Sequence, residues 1–173
     1  IYEVPPLTPS SPEASLVVLH FSPSLQRLED TIWIDDSFAE GWYPYRQYGD
    51  VKNYESEVKN GIMELSVTSN QSGNIWASYA LSGLSLNTTI YSTLFFRYHV
   101  ENNFTWLTFQ LWNSTDKVFF YVGHLSDIDF STKVLTLPTN QTITRIEVIV
   151  GTVKDAPADT TAHAYIDYIK FSA

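Results

Sequence analysis

From Thr93 to Gly123 the chain is three short runs in which apolar positions recur every second residue. Leu94, Phe96, Tyr98 and Val100 alternate with Thr93, Phe95, Arg97 and His99. Leu107, Phe109 and Leu111 alternate with Trp106, Thr108, Gln110 and Trp112. Val118 to Gly123 is the third run, and Glu101-Asn102-Asn103 and Asn113 to Asp116 punctuate the series. A period of two with aromatic and β-branched enrichment is the signature of strands, and these turn-rich gaps bound them. The pattern predicts three successive antiparallel strands in one sheet. One face covers a core, and the other carries Arg97, His99, Trp106, Gln110, Trp112 and Tyr121.

The same texture extends from Thr31 onward. Tyr54–Lys59 and Ile62–Thr68 flank Asn60-Gly61, a strong hairpin signal. Ile32–Ile34, Ile75–Leu81, Ser131–Leu137, Thr144–Val150 and Ala162–Phe171 read as further strands, and Gly41–Gly49 reads as a loop. About nine or ten short strands with almost no helical period predict an all-β, antiparallel two-sheet β-sandwich of jelly-roll type over residues 23–173. A single helix over Ser24–Asp30 is the exception. Residues 1–22 form an arm. Pro5, Pro6, Pro9 and Pro12 keep its first part extended. Leu16, Val17, Val18, Leu19 and Phe21 then form a strand apolar on nearly both sides, which must be buried on both.

Composition narrows the partners. The net charge is −9 with ten scattered basic residues, which repels phosphate backbones and anionic membrane surfaces. No run approaches the ~18 apolar residues of a membrane span, so insertion is not expected. The absence of cysteine excludes disulfides and thiolate metal sites. Asn70, Asn87, Asn103, Asn113 and Asn140 each open an N-glycosylation sequon, several in predicted turns, which points to an extracellular or cell-surface protein. The chain opens at Ile1 without an initiator Met or a signal sequence, as a processed product or an excised domain would.

No catalytic set emerges. The acids are dispersed, with Glu147, Asp155 and Asp159 reading as solvated surface, and His20, His99, His124 and His163 lack metal-ligand spacing. The outer face suits sugars instead, because flat aromatic rings match their C–H faces and amide or guanidinium groups match their hydroxyls. Trp42, Tyr43, Tyr45 and Tyr48 offer a second aromatic group at the sheet edge.

Asp35-Asp36-Ser37-Phe38, followed by Gly41-Trp42, and the closing Ile166-Asp167-Tyr168-Ile169 together resemble the jelly-roll carbohydrate-binding modules of galactose-binding-like type. The resemblance implies adjacent first and last strands whose carboxylates hold a structural Ca²⁺. Carried to this chain, it nominates Asp35, Asp36 and Asp167.

Two functions follow. The main expectation is a non-catalytic, glycosylated extracellular subunit that polymerises with copies of itself into a surface filament. Its donor strand Leu16–Phe21 would complete a neighbour's sandwich, a layout that resembles archaeal and bacterial strand-exchange fibres. The alternative is a carbohydrate-binding module of a secreted polysaccharide-active protein.

Overall fold

The structure is a computed structural model that describes residues 17–20, 41–59 and 61–172, the first of these by backbone alone. The described chain is all strand and turn: β1 Val17–His20, β2 Tyr43–Tyr48, β3 Val51–Lys59, β4 Ile62–Ser69, β5 Trp76–Asn87, β6 Thr93–Val100, β7 Thr105–Asn113, β8 Val118–Leu125, β9 Ser131–Thr136, β10 Thr142–Thr152 and β11 Thr161–Ser172. They form two antiparallel sheets packed face to face, the expected jelly-roll class of sandwich. The first sheet runs β3-β4-β11-β6-β9, with β1 also against β11; the second runs β2-β5-β10-β7-β8.

Period two places the core where the sequence expects it. Met63, Leu65, Val67, Leu94, Phe96, Tyr98 and Val100 face inward from the first sheet. Ala77, Tyr79, Leu107, Phe109, Leu111, Ile146, Val148 and Val150 meet them from the second. Phe96 and Phe109 touch across the gap, ring centroids 5.0 Å apart. Tyr79 ties the layers by its hydroxyl, which lies 2.7 Å from the Glu55 carbonyl and 3.0 Å from that of Ser66. Two irregularities reset the alternation. The register slips between Ile143 and Arg145 and between Ile166 and Tyr168. This is how Ile143 and Ile146, and Ile166 and Ile169, all face the core although each pair is three residues apart.

The expected hairpin pairing forms: Lys59 lies opposite Ile62, and Gly61 takes φ 80°, a left-handed backbone that glycine adopts readily. Two expectations change. Gly41–Gly49 is not a loop throughout, because Tyr43–Tyr48 is an edge strand; Pro44 is tolerated there beside a bulge. The three runs between Thr93 and Gly123 do not share a sheet. β6 belongs to the first and β7 and β8 to the second, because the chain crosses between layers at residues 101–104.

The expected donor strand has a pairing within its own chain. Val17–His20 pairs with β11 of its own chain, Val17 opposite Phe171 and His20 opposite Tyr168. β4 covers β11 only from Thr161 to Ile166, so the same edge is open beyond that point and β1 takes it. Exchange between subunits would have to vacate this pairing. Leu16, Phe21, Asp35, Asp36 and the expected Ser24–Asp30 helix lie outside the described residues.

Candidate functional site

The six expected sugar-contact residues are divided between opposite faces of the sandwich. Arg97 and His99 lie on the outer face of the first sheet; Trp106, Gln110, Trp112 and Tyr121 lie on that of the second. The two faces differ in how their rings are used.

On the first sheet the rings face one another. His99 stacks on Tyr165 at 4.3 Å with an interplanar angle of 4°, His163 stacks on Tyr165 at 4.7 Å, and Phe130 meets His99 edge-on. Their charged neighbours are paired too. Arg97 donates to Asp167 and lies over the Phe130 ring, and His163 sits 3.3 Å from Glu101 and 3.8 Å from Glu64. Burial, with Glu101 and Glu64 nearby, raises the Tyr165 phenol above its ordinary pKa. Such a ladder offers little free ring face to a ligand.

On the second sheet two rings lie along the strands instead. Gly151 on β10 sits opposite both Trp106 on β7 and Trp76 on β5. The Trp106 indole covers it: a Cβ at Gly151 would meet the indole (Cε2 at 2.7 Å) and the Ile75 carbonyl oxygen at 2.7 Å. The indole N–H donates to the Thr152 carbonyl at 2.8 Å, which fixes the ring in that pose. Tyr121 also covers a glycine, on β8. Its phenol folds over Gly123, where a Cβ would strike the ring (Cε1 at 2.6 Å). Tyr121 remains 54% exposed, so one ring face is available.

Between these rings is a depression of about 260 Å³, lined by Arg46, Trp76, Trp106, Gln110, Tyr121 and His124. Tyr48 extends it, stacked on Trp76 at 6.1 Å and 17°. Beneath lies Glu147, fully buried on the outer side of β10. One Glu147 oxygen accepts from Arg46 Nε at 2.9 Å and Nη2 at 2.8 Å, and the other from Nη2 at 2.7 Å and the Trp112 indole N–H at 2.9 Å. Tyr45 meets Trp112 edge-on, and Arg145 lies 4.9 Å over both rings.

Three of these groups take places that the expected sugar-contact set does not assign to them. Glu147 is not solvated surface but the anchor of Arg46 and Trp112; a lone charge within Ile146-Glu147-Val148-Ile149-Val150 was its signal. Trp76 shares parity with the outward Ser78 and Ala80, which was enough to place it. His124 lines the depression from a left-handed backbone, φ 56°. Of the edge aromatics, Tyr45 and Tyr48 join this face, whereas Trp42 is core. Of the calcium set, Asp35 and Asp36 lie outside the described residues, and Asp167 accepts from Arg97, whose positive charge opposes a cation there. Among the described residues no cluster of three or more His, Asp or Glu could hold a metal. The five sequon asparagines all sit at strand ends or turns; Asn113 is the most engaged, its amide donating to Gln141 at 3.1 Å.

No family model and no curated protein matches the sequence. Solved structures do. A mutant of the family 29 carbohydrate-binding module CBM29-2 complexed with cellulohexaose superposes with a TM-score of 0.51 at 16% identity, covering 94% of this chain and 93% of that one. A second CBM29-2 mutant, complexed with mannohexaose, gives 0.51 at 16%, with 92% of each chain covered. The chain is similar in fold to family 29 carbohydrate-binding modules. The glycoside hydrolase domain of Endo-D from Streptococcus pneumoniae R6 also matches, with a TM-score of 0.54 at 12% identity over 76% of this chain, but only 21% of that one. The resemblance read from the sequence thus holds for the fold. No helix among the described residues is long and apolar enough to cross a membrane.

Proposed function

We propose that this chain is a non-catalytic, extracellular carbohydrate-binding module whose ligand lies on the outer face of the second sheet. The observation that carries the reading is the pair of rings laid over glycines: Trp106 over Gly151 and Tyr121 over Gly123 bracket one depression. A sugar ring stacks on an aromatic face and hydrogen-bonds at its rim, and Gln110, His124 and Arg46 supply the rim groups. The first sheet's outer face supports the role less well, because its rings are stacked on each other.

The similarity in fold adds a choice of probe. CBM29-2 mutants form complexes with cellulohexaose and mannohexaose, so these oligosaccharides are the first to try. Secretion and glycosylation at the sequon asparagines accord with such a role. Isothermal titration with both hexasaccharides tests it. Binding that Trp106→Ala abolishes without loss of cooperative unfolding supports the reading; binding that survives Trp106→Ala, or fails with both sugars, removes this face from consideration.

A further inference from the structure

Only three strand residues of the second sheet carry Asp, Glu, Lys or Arg side chains: Arg46, Arg145 and Glu147. Each arginine is matched. Arg145 donates to Asp116 at 2.7 Å and to the Tyr45 hydroxyl at 2.8 Å. Arg46 spends Nε and Nη2 on Glu147 and leaves Nη1 without a partner among the described residues. Its side chain is 40% exposed and borders the depression, whereas the Glu147 side chain is 0% exposed. A ligand can therefore reach the guanidinium but not the carboxylate beneath it.

We infer that Glu147 is a specificity-determining residue that makes this face select neutral glycans and reject acidic ones. The inference rests on the reading of the face as a glycan site. With Glu147 bound to it, Arg46 offers a sugar hydroxyl two directed N–H donors but presents almost no net charge. A uronate carboxylate approaching Nη1 would meet Arg46 and Glu147 together, and would leave water for a site whose positive charge is already compensated. The net charge of −9 adds long-range repulsion. A lone arginine in the same place would attract acidic polymers instead.

The test titrates wild type and Glu147→Gln with mannohexaose, cellulohexaose and an oligogalacturonate of equal length, at about 20 mM and about 200 mM salt to vary the screening. Glutamine keeps an acceptor oxygen for Trp112 or Arg46 but removes the charge. Wild type should bind a neutral hexasaccharide with little salt dependence and the oligogalacturonate at neither salt. Glu147→Gln should gain roughly tenfold or more for the oligogalacturonate at low salt, and lose that gain at high salt. Wild type that prefers the acidic oligomer, or a folded Glu147→Gln with unchanged acidic affinity, overturns the inference while leaving the glycan site intact. Wild type that binds none of the three overturns both. If Glu147→Gln does not fold, the wild-type salt series decides alone, because tight, salt-sensitive binding of the acidic oligomer already contradicts it.

Discussion

Gly123→Ala isolates the contribution of one platform ring without touching that ring. The new methyl group would occupy the space now held by the end of the Tyr121 phenol, and it would meet no other atom before that ring. Tyr121 is exposed and free to swing, so the clash resolves by displacing the ring rather than the backbone. Gly123 does not occupy the left-handed region, so alanine is compatible with its backbone and should change stability by at most about +0.4 to +1 kcal/mol through the unfolded state. An aromatic stacking contact is worth about 0.5–1.5 kcal/mol, so affinity for the hexasaccharide should fall roughly 2- to 12-fold. Gly151→Ala is a less clean probe, since its methyl would also press on the Ile75 carbonyl oxygen; overpacking of that kind costs about 1–3 kcal/mol. Titration calorimetry with Gly123→Ala, Tyr121→Ala and the double variant completes a cycle. Each single variant should lose the same affinity and the double variant no more than either. Wild-type affinity in Gly123→Ala, or losses that add in the double variant, would refute the role given to the Tyr121 pose.

Tyr79→Phe removes the hydroxyl that reaches the Glu55 and Ser66 carbonyls and should cost about 1 kcal/mol at pH 8. Burial raises that phenol above its ordinary 10.0, so its contribution is complete below pH 10.0 and falls as pH rises, by about 1.4 kcal/mol per unit, because only the unfolded chain then ionises. Urea midpoints of the two proteins should therefore converge near pH 11, and a constant gap would contradict this. Chelator should leave the melting temperature unchanged, since Asp167 serves Arg97; a fall of several degrees would return Asp167 to a cation site. Sedimentation of the full chain at high concentration should show monomer, because β1 is paired with its own β11, and concentration-dependent polymer would revive strand exchange.

How much of this was legible follows from what alternation encodes. Period two tells which side chains of one strand share a face, and Leu107, Phe109 and Leu111 are buried as that rule requires. It does not say which sheet a strand joins, so it groups Arg97 and His99 with Trp106 although a whole sandwich separates them. Gly41, Pro44 and Gly49 read as turn residues, and only the edge position of β2 makes a strand containing Pro44 acceptable. The glycines of the platform gave no signal at all. Gly123 only shares a face with Tyr121 two residues before it, and Gly151 matters because of Trp106 on the neighbouring strand, a relation that exists only once the register is set. Arg46 and Glu147 are 101 residues apart, and nothing local links them.

The most direct test of the binding face is to follow the indole and backbone amide resonances of ¹⁵N-labelled protein during titration with mannohexaose or cellulohexaose. The chain has five tryptophans, of which Trp76, Trp106 and Trp112 lie on the second sheet's outer face. Their indole signals, with the amides of Tyr121 to His124, should shift together and saturably while those around His99 and Tyr165 stay in place. Shifts confined to His99, His163 and Tyr165 would put the ligand on the opposite face and contradict the account.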